Sequence, residues 1–383
     1  MKGEIMEEPL LSIRGLKTNF YTYEGVVKAL DGVTLDLNRG ENLGLVGETG
    51  CGKSVTALSV MQLVPEPGKI LNGKILFKGK NLLELDAEDM MKVRGNEIAM
   101  IFQDPMTYIN PVLTIGDQIA EVIALHEGLD KDVLEMKIKE LEEEVSKSNR
   151  SSSKTHALES KIEQLEKMMD DPPKPSRQDL RKVVREKTLE MLRLVRMPYP
   201  EKVIDQYPHE LSGGMRQRAM IAMALSCKPS IIICDEATTF LDVTIQAQIL
   251  GLLHELKKEA DLSVIFITHD LGVVAQSCDR VAVMYAGVIV EQADVDKLFK
   301  SPLHPYTRGL LGSIPTLHKS KKRLSVIRGT VPNLIDPPSG CRFYPRCPKA
   351  KTICKREKPV MVEVEPKHFV ACHMYTARGN WER

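Results

Sequence analysis

Apolar and polar positions alternate along this chain in three regimes. Over residues 9–125 short apolar runs are separated by turns. Residues 43–46 of "ENLGLVGETG" predict a buried strand entering a glycine-rich loop, and "VTALSVMQLV" continues it as a helix. "GKILFKG" and "EIAMIF" predict further strands. The alternation returns over residues 205–300, with a helix after "LSGG", a strand at "SIIICDE", a helix over "TIQAQILGLLHELKKEA" and a strand at "SVIFITHD". Strands alternating with helices predict an α/β domain on a largely parallel sheet.

The middle regime has a different period. Leu134, Ile138, Leu141 and Val145 are spaced by four, three and four residues, and Leu158, Ile162, Leu165 and Met169 repeat that spacing. "SNRSSSKT" separates the two runs and "DDPPKPS" closes the second. Such a narrow apolar seam predicts a helical hairpin inserted at about 128–178, self-packed on the surface or serving as a docking arm. From about residue 300 the chain turns rich in proline, lysine and cysteine, which predicts a small appended module over 301–383. Its basic run "HKSKKR" reads as a solvated loop.

Composition narrows the function classes. Hydrophobic residues make up 43% and charged residues 27%, as in ordinary globular proteins. A formal net charge of +1 leaves no global basic field for nucleic acid. The start "MKGEIMEEPLLSIRGL" lacks the layout of a secretory signal, and no apolar run is long enough to span a bilayer. The expectation is a cytosolic protein that meets a membrane only through partners. In that compartment the eight cysteines point to metal or redox chemistry rather than disulfides.

"GETGCGKS", comprising Gly47, Glu48, Thr49, Gly50, Cys51, Gly52, Lys53 and Ser54, fits G-x-x-x-x-G-K-[ST] between a predicted strand and a predicted helix. Its glycines let backbone N–H groups wrap phosphates, and the helix N-terminus adds a dipole that favours anions. Lys53 would reach the β- and γ-phosphates, and Ser54 would ligate Mg²⁺. Asp235 and Glu236 end the apolar strand "IIIC", where one acid can hold Mg²⁺ and the other can orient water.

With "LSGGMRQRAMIAMAL" upstream of those acids, the chain resembles the nucleotide-binding subunits of ATP-binding cassette (ABC) transporters. Their landmarks occur in order: the phosphate loop, Gln103 in "IFQDP", the signature at residues 211–215, Asp235 with Glu236, Asp242 in "FLDVT", and His269 in "ITHD". The resemblance implies a P-loop cassette with a RecA-like core plus antiparallel β and α-helical subdomains over residues 9–300. It implies ATP and Mg²⁺ as cofactors, with Mg²⁺ held by Ser54, Gln103 and Asp235. Glu236 is the implied general base, with Gln103 and His269 beside the attacking water and γ-phosphate. Ser212, Gly213, Gly214 and Asp242 would act in trans on the ATP of a second subunit. Phe20, Tyr21 and Tyr23 offer an adenine-stacking ring, Phe20 or Tyr21 having the better spacing. Met215, Ala237 and Phe240 depart from the commonest family residues without removing a chemical group.

The tail sharpens the resemblance. "HPYTRGLLGSIP", "GTVPNLIDPPSGCRFYPRCPKA" and "HFVACH" are similar to the C-terminal extension of oligopeptide, dipeptide and nickel importer ATPases. That likeness implies a second ATPase subunit, two permeases and a solute-binding protein as partners, at the cytoplasmic face of the membrane. Peptides are the expected cargo, with oligosaccharides or metal chelates as alternatives. DNA-repair ABC ATPases have far longer hairpins, and translation-type ones carry two cassettes, whereas one phosphate loop and one signature occur here. Cys341, Cys347, Cys354 and Cys372 lack two-residue knuckles, yet four thiolates suit a [4Fe–4S] cluster, which the family tail also implies. Structural zinc with His368 or His373 is the alternative, while Cys51, Cys227, Cys234 and Cys278 read as structural or incidental.

Overall fold

The computed structural model describes residues 8–126, 129–147, 153–170, 172–237, 243–260, 262–313 and 327–376. The basic run at 318–323 and the residues Phe240 and Asp242 lie outside them. The chain divides into two compact units, Met1–Gln103 with Ser230–Arg383 and Asp104–Pro229. The break thus falls inside the expected 9–300 domain, and the tail shares a unit with the nucleotide core.

The first unit holds two sheets. β1 (Leu11–Thr22), β2 (Gly25–Leu37), β4 (Gly68–Phe77) and β5 (Lys80–Asn81) form an antiparallel sheet in the order β2-β1-β4-β5. The larger sheet contains β3 (Asn42–Val46), β6 (Ile98–Ile101), β7 (Ile231–Asp235), β8 (Ser263–Thr268), β9 (Arg280–Tyr285), β10 (Val288–Asp294), β11 (Val362–Glu365) and β12 (His368–Val370). Its order is β11-β12-β10-β9-β3-β8-β7-β6. The run from β9 to β6 is parallel, and the tail adds β12 and β11 antiparallel beyond β10.

Register explains where the chemistry collects. β3, β7 and β8 are buried along their whole lengths, as strands covered on both faces must be. Val46 pairs with Thr268, Asp235 with Ile267 and Ile101 with Cys234, so four parallel strands end nearly level. Ligands of open α/β sheets bind beyond such carboxyl ends. Leu43, Leu45, Ile233, Ile265 and Ile267 anchor one hydrophobic cluster, while Val46, Val281, Val283, Tyr285, Tyr306 and Phe343 belong to a second.

The tail is stapled by buried polar contacts as well as by strands. Glu291 on β10 accepts the backbone N–H groups of Leu303 and His304 at 2.7 and 2.8 Å, and its carboxylate lies 2.8 Å from His368 Nε2. His304 then caps the helix Pro305–Gly312, its Nδ1 accepting the Tyr306 N–H at 3.0 Å.

The second unit is helical. Helices Asp130–Lys147 and Ser153–Lys167 pack on each other as the expected hairpin. Leu134 is buried and the other seam residues are partly buried, whereas the intervening positions are mostly exposed. The base of the hairpin rests on helix Arg177–Leu194 through the ion pairs Lys137–Asp179 (2.8 Å) and Lys187–Asp132 (2.9 Å). Among the described residues no helix is long and apolar enough to cross a membrane.

Candidate nucleotide site

Residues 47–54 follow β3 and lead into helix Lys53–Val60, as the motif requires. Gly50 and Gly52 take positive φ values of 78° and 107°, a region glycine enters without a Cβ penalty. Gly47 is needed for space: a Cβ there would sit 2.2 Å from the Met284 carbonyl oxygen. Lys53 is 5% exposed, and its Nζ donates to the carbonyls of Gly47 and Glu48 at 2.8 and 3.2 Å. The ammonium is therefore held over the loop whose N–H groups would take phosphate.

Two acids at the end of β7 stand in different surroundings. Asp235 is 7% exposed and accepts the Ser54 hydroxyl at 3.0 Å. Burial pushes its carboxyl upward, Ser54 opposing and the Glu236 charge adding to the shift. Glu236 has a left-handed backbone, φ 48°, the kind of strain that collects at functional positions. One carboxylate oxygen accepts the Gln103 amide N–H at 2.8 Å and the other lies 3.1 Å from His269 Nδ1. Gln103, Asp235, Glu236 and His269 come from the ends of β6, β7 and β8 and form two adjoining sets, Ser54–Asp235 and Gln103–Glu236–His269, joined through the neighbouring acids of the chain. The oxygen donors Ser54 and Asp235 face each other at a distance that suits a hard divalent cation between them and the phosphates. A carboxylate flanked by an amide and an imidazole is an arrangement that can orient water for attack on phosphorus.

The signature lies in the helical unit. Ser212 caps helix Gly213–Leu225, its hydroxyl accepting the Met215 N–H at 3.4 Å. Among the described residues nothing lies within 4 Å of a Cβ placed on Gly213. Arg216, not anticipated from sequence, locks this turn by donating to the Leu211 carbonyl from Nε at 3.0 Å and Nη2 at 2.8 Å. Of the upstream aromatics, Phe20 is turned to Gly68, where a Cβ would meet its ring at 2.7 Å. Tyr21 is half exposed and Tyr23 almost wholly so.

The cysteines of the tail approach one another but form no ligand set. Among the described residues no group of three or more His, Cys, Asp or Glu side chains is arranged to hold a metal. Cys341, Cys347, Cys354 and Cys372 are free thiols. Burial pushes Cys341 up to about 11, Cys372 up to about 12 and Cys347 upward, with repulsion among the neighbouring sulfurs adding to each. Cys341 and Cys347 pack against the apolar cluster that contains Phe343. Of the two histidines named for the zinc alternative, His368 Nε2 faces Glu291 and His373 Nε2 donates to the Glu357 carbonyl at 2.9 Å.

Two contacts of the tail reach the phosphate loop, and no local pattern announced them. The Glu48 N–H donates to the Tyr306 hydroxyl at 2.9 Å, and Arg346 grips the Glu48 carboxylate at 2.7 and 3.1 Å.

Comparison with known proteins identifies the family. The family described as ABC transporter matches residues 30–239, and that described as the oligopeptide/dipeptide transporter C-terminal region matches residues 290–354. A probable peptide ABC transporter ATP-binding protein of Sinorhizobium fredii is 49% identical over 97% of this chain and 97% of its own length. The dipeptide transport ATP-binding protein of Bacillus subtilis is 44% identical over 97% of this chain and 96% of its own. Among solved structures, the dimeric ATP-binding cassette MJ0796 in a post-hydrolysis state with ADP and Pi superposes with a TM-score of 0.56 at 21% identity, over 74% of this chain and 98% of that one. This last likeness speaks to the fold alone. Level strand ends, the motif order and relatives aligned over nearly the whole length lead to one conclusion: the chain belongs to the ABC transporter family.

Proposed function

We propose that this chain is the ATP-hydrolysing subunit that powers peptide uptake through a membrane importer. The observation that carries the reading is the meeting of Ser54–Asp235 with Gln103–Glu236–His269 at the phosphate loop, in a chain that also has the transporter tail. Glu236 is the base that takes the proton of the attacking water, and Gln103 and His269 orient that carboxylate. Lys53 and the loop N–H groups bind the β- and γ-phosphates, with Ser54, Asp235 and Gln103 around the cation. Bound Mg²⁺ supplies charge neutralisation on the phosphoryl oxygens. Tyr21 is the better adenine platform, because Phe20 is engaged with Gly68.

Hydrolysis needs a second ATPase subunit, identical or homologous, whose signature covers this ATP. Ser212, Gly213 and Gly214 serve the partner's nucleotide in return, with Asp242 at the same seam. The open face of Gly213 favours that role. Met106, Tyr108 and Val112, each more than half exposed after Gln103, suit docking of permease helices at the cytoplasmic membrane face. A solute-binding protein completes the importer.

The test is reconstitution with the two permeases and the solute-binding protein in vesicles. Peptide-loaded binding protein should stimulate ATP hydrolysis and peptide entry. Stimulation only by a sugar or a nickel chelate would move the cargo assignment while leaving the engine intact. The four tail cysteines lie within one another's electrostatic reach, which favours a [4Fe–4S] cluster whose binding would draw the sulfurs into one ligand shell. Anaerobically purified protein should then contain about four irons and four sulfides per chain. A colourless, iron-free protein with normal ATPase activity would refute the cluster.

A further inference from the structure

The phosphate loop of this chain carries an acid, Glu48, immediately after its first glycine. A carboxylate on a loop that cradles a polyanion opposes binding unless its charge is neutralised and its side chain is held aside. The neutralising group comes from the far end of the chain. Arg346, 298 residues away and between Cys341 and Cys347, sends both terminal nitrogens to Glu48 at 2.7 and 3.1 Å, a bidentate fork. Its side chain is only 6% exposed, and that of Glu48 is 25% exposed.

The arginine is itself fixed on several sides. Its Nε donates to the Arg328 carbonyl at 2.9 Å, Nη1 donates to the Tyr285 hydroxyl at 3.3 Å, and its guanidinium carbon lies 5.7 Å from the centre of the Tyr285 ring. Tyr306 completes the hold by accepting the Glu48 N–H at 2.9 Å, so both the backbone and the side chain of Glu48 are gripped by the tail. Tyr285, Tyr306 and Phe343 pack as one aromatic group, with ring centres 4.7 to 5.5 Å apart. That packing sets the tail rigidly against the end of β9, beside the loop.

We propose that Arg346 is a positioning residue for ATP: it neutralises Glu48 and, with Tyr306, holds the phosphate loop in its nucleotide-binding shape. The inference rests on the reading of residues 47–54 as the ATP cradle. It gives the C-terminal extension a direct part in the nucleotide site, independent of any metal bound by the cysteines.

The experiment is titration of the full chain with ATP and Mg²⁺. Arg346→Ala uncovers the Glu48 charge and should weaken ATP affinity about tenfold, the equivalent of about 1.4 kcal/mol. Adding Glu48→Gln to Arg346→Ala should restore most of that loss, because no charge is then left unbalanced. The penalty of the single variant should also shrink as salt is raised. A purely structural arginine would show neither the rescue nor the salt dependence. Arg346→Gln, which keeps the buried stem, carries the same test if the alanine variant does not fold. Wild-type ATP affinity in the Arg346 variant, or a double variant as weak as the single, would overturn the proposal. Lys53→Ala serves as the control for the underlying reading. If it leaves ATP affinity unchanged the cradle assignment fails, whereas loss of affinity there with no effect at Arg346 refutes only the present inference.

Discussion

Gly47→Ala is the smallest change that puts the site geometry under strain. The added methyl would lie 2.2 Å from the Met284 carbonyl oxygen and 2.7 Å from Cys51 Sγ. Neither neighbour can yield easily. Met284 lies in β9, hydrogen-bonded between β3 and β10, and Cys51 is fully buried with its carbonyl accepting the Gly287 N–H at 2.7 Å. Relief to ordinary contact therefore requires the loop to shift by about 1 Å, and misplacement on that scale can cost about a hundredfold in rate. The accompanying loss of stability should be about 1–3 kcal/mol, as for an overpacked core, which leaves the sheet folded. The assay pairs ATP hydrolysis at saturating Mg²⁺ with a thermal melt of the same preparation. The expected outcome is a roughly hundredfold lower rate in a protein that still melts cooperatively. Wild-type hydrolysis in that variant would refute the claim that the 47–54 backbone is the phosphate cradle.

Two other changes probe different parts of the molecule. Gly213→Ala adds a methyl that meets nothing within 4 Å among the described residues, so folding and ATP affinity should be unchanged while hydrolysis by the assembled dimer falls at least tenfold. Full hydrolysis would show that no nucleotide closes on that turn. His304 is 1% exposed, and burial, helped by the Arg308 charge, pushes its pKa down to about 3. A depressed histidine adds stability that is complete above its unfolded value near 6.5 and is lost as pH falls toward about 3. Between pH 7 and 5 the wild type should lose about 2 kcal/mol through this group, and His304→Gln should show a correspondingly shallower fall in urea midpoint. Equal slopes would mean that His304 is solvated in the folded state.

The parts of the fold legible in the sequence are those written locally. The strand, loop and helix at residues 42–60 were visible because a buried strand needs a continuous apolar run and the glycines follow it directly. The hairpin was visible because its seam repeats at helical spacing, and Asp235 and Glu236 because they stop an apolar strand. The sheet's antiparallel margin was not visible. β11 and β12 have four and three residues, too few for a period, and they are strands only because β10 offers an edge. The same limit hid the unit boundary at Gln103, which depends on contacts between residues more than a hundred positions apart. For the cysteines, residue type alone does not say whether buried thiols sit as ligands or as packing. Arg346 and Tyr306 belong with these long-range features, since their partner Glu48 lies far away in sequence.

The central claim is that Glu236 is the base of an ATP-hydrolysing engine, and Glu236→Gln tests it most directly. The substitution keeps the shape of the side chain and leaves the phosphate loop and Lys53 untouched. ATP affinity should remain at the wild-type value while hydrolysis drops by about a hundredfold or more. Hydrolysis at the wild-type rate by that variant would contradict the account.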